Sequence, residues 1–174
     1  MKRALSLDEL RTLLSPQAGR EYLSCPFLSS GIPRGAISEV SGSGKTQFAA
    51  NLLLAHPELK VAWIEEHFSI NPFGLQQNKI QPHKVVFVEA GREIEWAAVQ
   101  ALRSKIFQVL VLYGEFKDIK SLRRIQLASE KANAATLWLT PKPQHFWTSS
   151  LRLVVKKDPV SKKLHVTSSG FKSL

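Results

Sequence analysis

From about residue 36 onward, short apolar runs alternate with longer amphipathic stretches. The runs "AISEV" (36–40), "KVAWIE" (60–65), "KVVFVE" (84–89), "QVLVLY" (108–113) and "ATLWL" (135–139) have the length and β-branched content of strands. Between them, "KTQFAANLLLAH" (45–56) predicts a helix stopped by Pro57, and "DIKSLRRIQLASEKA" (118–132) predicts another. A further helix is predicted over "REIEWAAVQALRSK" (92–105), where Ile94, Ala97, Ala98, Ala101 and Leu102 fall on one side. Strands this apolar carry no polar face. Alternating with helices, they predict a three-layer α/β fold whose mostly parallel sheet is covered on both sides.

The two ends of the chain depart from this rhythm. "SLDELRTLLSP" (6–16) reads as a short helix: Ser6 caps it, Glu9 completes a capping box, and Leu7, Leu10 and Leu14 form a stripe. "SCPFLSSGIPRG" (24–35) has Gly and Pro at short intervals and reads as loop. Residues 1–30 are thus expected to be an N-terminal helix and loop, and 31–174 the core of a single globular domain. At the other end, "LRLVVKKDPVSKKLHVTS" (151–168) is two strand-like runs around Asp158-Pro159, a β-hairpin with Leu151, Leu153 and Val155 on one face and Arg152 and Lys156 on the other.

Composition narrows the classes. With 174 residues and 44% hydrophobic content, the chain can bury a real core and is unlike a disordered segment. A lone cysteine, Cys25, excludes an internal disulfide, and the five histidines are scattered without metal-ligand spacing. No apolar run reaches the roughly 20 residues that span a bilayer, and "MKRALSLDEL" lacks a secretory pattern, so a cytoplasmic protein without a membrane partner is expected. The net charge of +10 draws polyanions, nucleic acid foremost.

Candidate chemistry begins at "EVSGSGKT" (39–46). A P-loop sets a glycine-rich turn between a strand and a helix, so that backbone N–H groups and the helix N-terminus surround phosphates. Its lysine adds charge, and its Ser/Thr binds Mg²⁺. Gly42, Ser43, Gly44, Lys45 and Thr46 are therefore the candidate nucleotide-binding residues, with Thr46 the candidate Mg²⁺ contact. The preceding "GIPRGAISEVSG" (31–42) resembles the approach to the ATP site of the RecA recombinase family. "WIEEHFSINP" (63–72) resembles that family's second core strand, which implies Glu66, followed by His67, as the catalytic carboxylate. "QVLVLY" stands where a Walker B strand belongs, and "SSLRLVVKKD" resembles the late strands of the RecA core. "LRRIQLASEKANAATLWLTPKP" (122–143) is similar to the ImuA and SulA branch, bacterial DNA-damage-response proteins with a RecA-like core and eroded ATPase residues.

The motif is altered in two places. If the RecA-like prefix sets the register, Gly42 opens the loop, which is then three residues shorter than G-x-x-x-x-G-K; if the G-K-T end sets it, Glu39 stands at the first glycine. Either change damages a phosphate nest, by too few N–H groups or by a repelling carboxylate. The Walker B strand ends in Tyr113 where an aspartate is normal, with Glu115 the nearest acid, and "LWLTPKP" offers Thr140 and Pro141 in place of the RecA glutamine sensor.

The strongest charge bias is C-terminal. Arg152, Lys156, Lys157, Lys162 and Lys163 are the candidate DNA-binding residues, four of them flanking the hairpin turn and opposed only by Asp158. His145, Phe146 and Trp147 precede the hairpin as candidate base-stacking rings, and Lys117, Lys120, Arg123 and Arg124 form a second basic cluster. The resemblance implies an accessory protein of the SOS response and translesion synthesis. It would bind DNA and a recombinase (RecA) or error-prone polymerase subunit, with weak or absent ATPase. The alternatives are an active DNA-dependent ATPase using ATP and Mg²⁺, and a SulA-like inhibitor of cell division.

Overall fold

The computed structural model describes residues 20–170 apart from 78, 117 and 145; the helix expected over 6–16 lies outside them. Tyr22–Cys25 (β1) and Leu28–Pro33 (β2) pair as a two-stranded antiparallel sheet. Seven more strands make the main sheet: Ala36–Ser41 (β3), Val61–Glu65 (β4), Val85–Glu89 (β5), Val109–Tyr113 (β6), Ala135–Thr140 (β7), Ser149–Lys157 (β8) and Leu164–Gly170 (β9). Their order is β5-β4-β6-β7-β3-β8-β9, parallel throughout except for the antiparallel β8–β9 edge. β3, β4 and β7 are buried at every residue, as expected of strands covered on both faces.

One face is covered by α1 (Lys45–Ala55), the short α2 (Pro72–Gln77) and the β1–β2 hairpin. α1 is apolar nearly all round because it is enclosed on two sides: Phe48, Leu52 and Leu53 are buried in the same cluster as sheet residues and as Leu23 and Ile32 of the hairpin, while Phe27 lies 5.7 Å from Phe48. His56, just past α1, donates its Nε2 proton to the Ser24 carbonyl at 2.8 Å and ties the hairpin down.

The expected loop over 24–35 is therefore a correction. Its prolines and glycines serve a strand pair: Pro26 lies in the tight turn, and Gly31, at φ +72°, lets β2 approach so closely that a Cβ there would lie 2.4 Å from the Leu23 carbonyl oxygen. β2 runs across residue 31, where the sequence placed the start of the core.

The opposite face carries α3 (Ile94–Arg103) and α4 (Ile119–Ala132). The expected stripe holds: Ile94, Ala98 and Leu102 are buried, and Ala97 and Ala101 pack at the edge of the same cluster. α4 starts at Asp118, whose carboxylate accepts from the Ser121 amide at 2.8 Å, and ends at Asn133 in the left-handed conformation (φ 50°). Among the described residues, no helix is long and apolar enough to cross a membrane.

Candidate functional site

The segment between β3 and α1 is bound to β8 along its length. Ser41 Oγ donates to the Leu153 carbonyl at 3.3 Å, the Gly44 amide donates to the Val155 carbonyl at 3.0 Å, and Ser43 Oγ accepts from the Lys157 amide at 3.1 Å. Both glycines are needed for this approach. Gly42 sits at φ +97°, and a Cβ on it would lie 2.4 Å from the Val155 carbonyl oxygen; one on Gly44 would lie 2.8 Å from both Val155 Cγ1 and Leu164 Cδ2. The Lys45 amide donates to the Gly42 carbonyl at 3.4 Å, and among the described residues no protein acceptor meets the amides of Thr46 and Gln47. The backbone thus takes the short register, in which Gly42 opens the turn and Gly44 already caps α1.

Glu39 accordingly belongs to the strand. It is buried in mid-β3, where its Oε1 accepts from the Gln144 amide at 2.6 Å and its Oε2 lies 3.6 Å from Arg152 Nε. Arg152 also donates to the Phe146 carbonyl at 2.5 Å, so this pair fastens Gln144 and Phe146 to β3 and β8.

The candidate nucleotide-binding side chains and the candidate catalytic carboxylate separate across the sheet. Lys45 Nζ lies 5.4 Å from the centre of the Tyr113 ring, which packs on the α1 side, and Thr46 is exposed beside it. Side chains alternate along β4, so Trp63 and Glu65 share that side while Ala62 and Ile64 face α3 and α4. Glu66 continues the alternation. It lines a cleft of about 680 Å³ on the α3–α4 side together with Glu95, Glu115, Arg92 and Phe116. The candidate catalytic carboxylate Glu66 and the candidate Walker B substitute Glu115 therefore gather on the face away from Lys45.

Sequence reasoning missed Glu65, the buried acid on the side of the loop. Its Oε1 accepts from the Trp63 indole at 2.8 Å, and its Oε2 accepts from the amides of Ser69 and Ile70. The signal was present in the two-residue period of β4, which puts Glu65 and not Glu66 in phase with Trp63. Among the described residues, no group of three or more His, Cys, Asp or Glu side chains is placed to hold a metal ion.

The basic hairpin is built as its sequence predicts. Asp158 accepts from the amides of Ser161 at 2.6 Å and Val160 at 2.8 Å, which shapes the turn, and these donors hold its carboxyl below the usual aspartate range. Lys162, at φ 59°, donates its ammonium to the Pro159 carbonyl at 2.7 Å. Lys156, Lys157, Lys162 and Lys163 are all exposed around this turn, and His165 pairs across from Lys156. Arg152 is set apart from them by its contacts with Glu39 and Phe146.

Of the candidate stacking rings, Phe146 packs on Trp138 at 6.1 Å, Trp147 is exposed with the Arg123 guanidinium 5.5 Å above it, and His145 lies outside the described residues. Of the second basic cluster, Lys117 also lies outside them, and Arg124 pairs with Glu95 at 2.7 Å. Compared with protein-family models and with curated proteins, the chain matches none.

Proposed function

We propose that this chain is a RecA-like accessory protein of the ImuA type. In that role it acts in the bacterial DNA-damage response and translesion mutagenesis, contacts DNA through the β8–β9 tip, and has weak or absent ATPase. The resemblance of residues 28 to 168 supplies the family. The observation that carries the rest is the joint between loop and hairpin: the Gly44 amide, which would point into a phosphate nest, donates to Val155, and Ser43 holds Lys157 at the base of the lysine tip.

The residues present are a poor match for Mg-ATP. In a P-loop the lysine faces phosphate and an aspartate on the next strands faces Mg²⁺. Here Lys45 lies over Tyr113, and Glu66 and Glu115 open to the other side. Two amides that a nest would turn toward phosphate are taken by the protein itself, that of Gly44 by the Val155 carbonyl and that of Lys45 by the Gly42 carbonyl. The same joint gives the tip a rigid base, and four exposed lysines with one intervening acid suit contact with phosphates without reading sequence.

The test is fluorescence anisotropy with a labelled single-stranded oligonucleotide, comparing wild type with a variant carrying alanine at 156, 157, 162 and 163. Each phosphate contact on a single strand contributes a slope of about 0.7 in log K against log salt, so the variant's slope falls by up to about 3. An unchanged slope contradicts the assignment of the tip.

A further inference from the structure

The outer side of the α3–α4 layer holds a groove of about 840 Å³ that the DNA contact leaves unused. α3 spends Ile94, Ala98 and Leu102 on the core, yet its sequence carries a second apolar pair, Trp96 and Val99, turned toward α4. α4 answers with Leu127 and Ala128. Trp96 is 62% exposed and Leu127 40% exposed, so the floor of the groove is apolar and open. A tryptophan left this open on a helix is characteristic of a binding surface.

The charge along the groove is uneven. α3 and α4 lead out of the parallel strands β5 and β6 and therefore run in the same direction, which puts their C-terminal ends together. Arg103, Lys105 and Lys131 line that end. The carboxylates that line the groove, Glu93 and Glu95, lie at the opposite end together with Arg92 and with Arg124, which pairs with Glu95 at 2.7 Å, so that end is balanced in charge while the other is positive.

We infer that this groove docks a short amphipathic segment of a protein partner, with an apolar side chain between Trp96 and Leu127 and acidic side chains on Arg103, Lys105 and Lys131. Charge complementarity selects this occupant over nucleic acid. A nucleic-acid strand carries a phosphate at every nucleotide along the groove, whereas the net positive charge lies at one end only, which a peptide with its acids at one end matches. The roughly 10 residues of α3 give a groove about 15 Å long, enough for some three turns of a helix. The inference stands apart from the DNA assignment, because it uses a different face and different residues.

The experiment is selection of phage-displayed random 12-residue peptides against the full chain, followed by anisotropy with a labelled copy of the enriched peptide. Enriched peptides are expected to carry apolar residues three or four apart followed by Asp or Glu. Binding is expected to weaken at least tenfold in Trp96→Ala and at least tenfold in the double variant Lys105→Glu, Lys131→Glu. Both sites are exposed, and Leu127→Gln serves as a second probe of the floor if Trp96→Ala lowers the melting temperature. Affinity for a single-stranded oligonucleotide should not change in these variants. Absence of enrichment, peptides that bind the variants as they bind wild type, or an oligonucleotide affinity that falls with Trp96→Ala overturns the proposal.

Discussion

Replacing Gly42 with alanine separates a loop sealed onto β8 from one standing open around phosphate. In the sealed loop the new Cβ lies 2.4 Å from the Val155 carbonyl oxygen, about 1 Å inside ordinary contact at 3.4 Å. β8 cannot simply retreat, because Val154 and Leu153 are paired with Ser41 and Val40 on one side and with Thr167 and Ser168 on the other. Two penalties combine: about 1–3 kcal/mol for a non-glycine residue at φ +97°, and about 1–3 kcal/mol for overpacking. The expected loss is about 4 kcal/mol, a large fraction of the stability of a domain this size.

Gly91 supplies the internal control. It also has a positive φ, +53°, but nothing lies within 4 Å of a Cβ placed there, so Gly91→Ala carries only the backbone term, about 1–2 kcal/mol. Urea unfolding followed by circular dichroism gives both values, with equal m-values confirming that the unfolded states match. If Gly42→Ala is no more destabilising than Gly91→Ala, the loop does not rest on β8 and the account of the joint is wrong.

Other outcomes follow from the same geometry. Lys45→Ala removes a cation–π contact with Tyr113 and should lower stability by about 0.5–1 kcal/mol, while calorimetry with Mg-ATP up to millimolar concentration should give weak or absent heat that is the same in wild type and variant. Glu65→Ala strips the acceptor from the Trp63 indole and from two amides in a buried setting and should lose about 3 kcal/mol or more by urea unfolding; Glu66→Ala, at the open cleft, should stay within about 0.5 kcal/mol of wild type. Asp158 has its folded carboxyl held down by the Ser161 and Val160 amides, so its contribution is present above the ordinary aspartate range and is lost as pH falls through the lower folded value. An NMR titration should therefore place its midpoint below the ordinary aspartate range, with hydrogen-exchange protection of the turn falling as the group protonates.

The main sheet and its helices were legible in the sequence because their signals are local. An apolar run such as "VLVLY" and a stripe such as Ile94, Ala98 and Leu102 report burial directly. β1 and β2 were not, because Gly31, Pro26 and Pro33 carry the composition of a loop, and only the packing of Leu23, Phe27 and Ile32 on α1 shows what they serve. The parts of the candidate phosphate-binding motif could be read locally, but not their relations. Whether Gly44 faces phosphate or Val155 depends on a strand more than a hundred residues away, and no local pattern encodes that contact. The side on which Glu65 and Glu66 emerge was readable from the alternation of β4, since Trp63 fixes the phase. Arg152 was grouped with the lysines by its position in the hairpin, yet the buried Glu39 opposite it across the β3–β8 pair draws it away.

The central claim is that the loop "SGSGKT" now joins the sheet to a DNA-contacting hairpin, with no nucleotide needed for that contact. The most direct measurement is the affinity of the wild-type chain for a labelled single-stranded oligonucleotide, by anisotropy, with and without millimolar Mg-ATP and across a series of salt concentrations. The account predicts binding that weakens steeply with salt and is the same within twofold whether or not nucleotide is present. An affinity that changes tenfold on adding Mg-ATP, with the change abolished by Lys45→Ala, contradicts it and restores the loop as a working nucleotide switch.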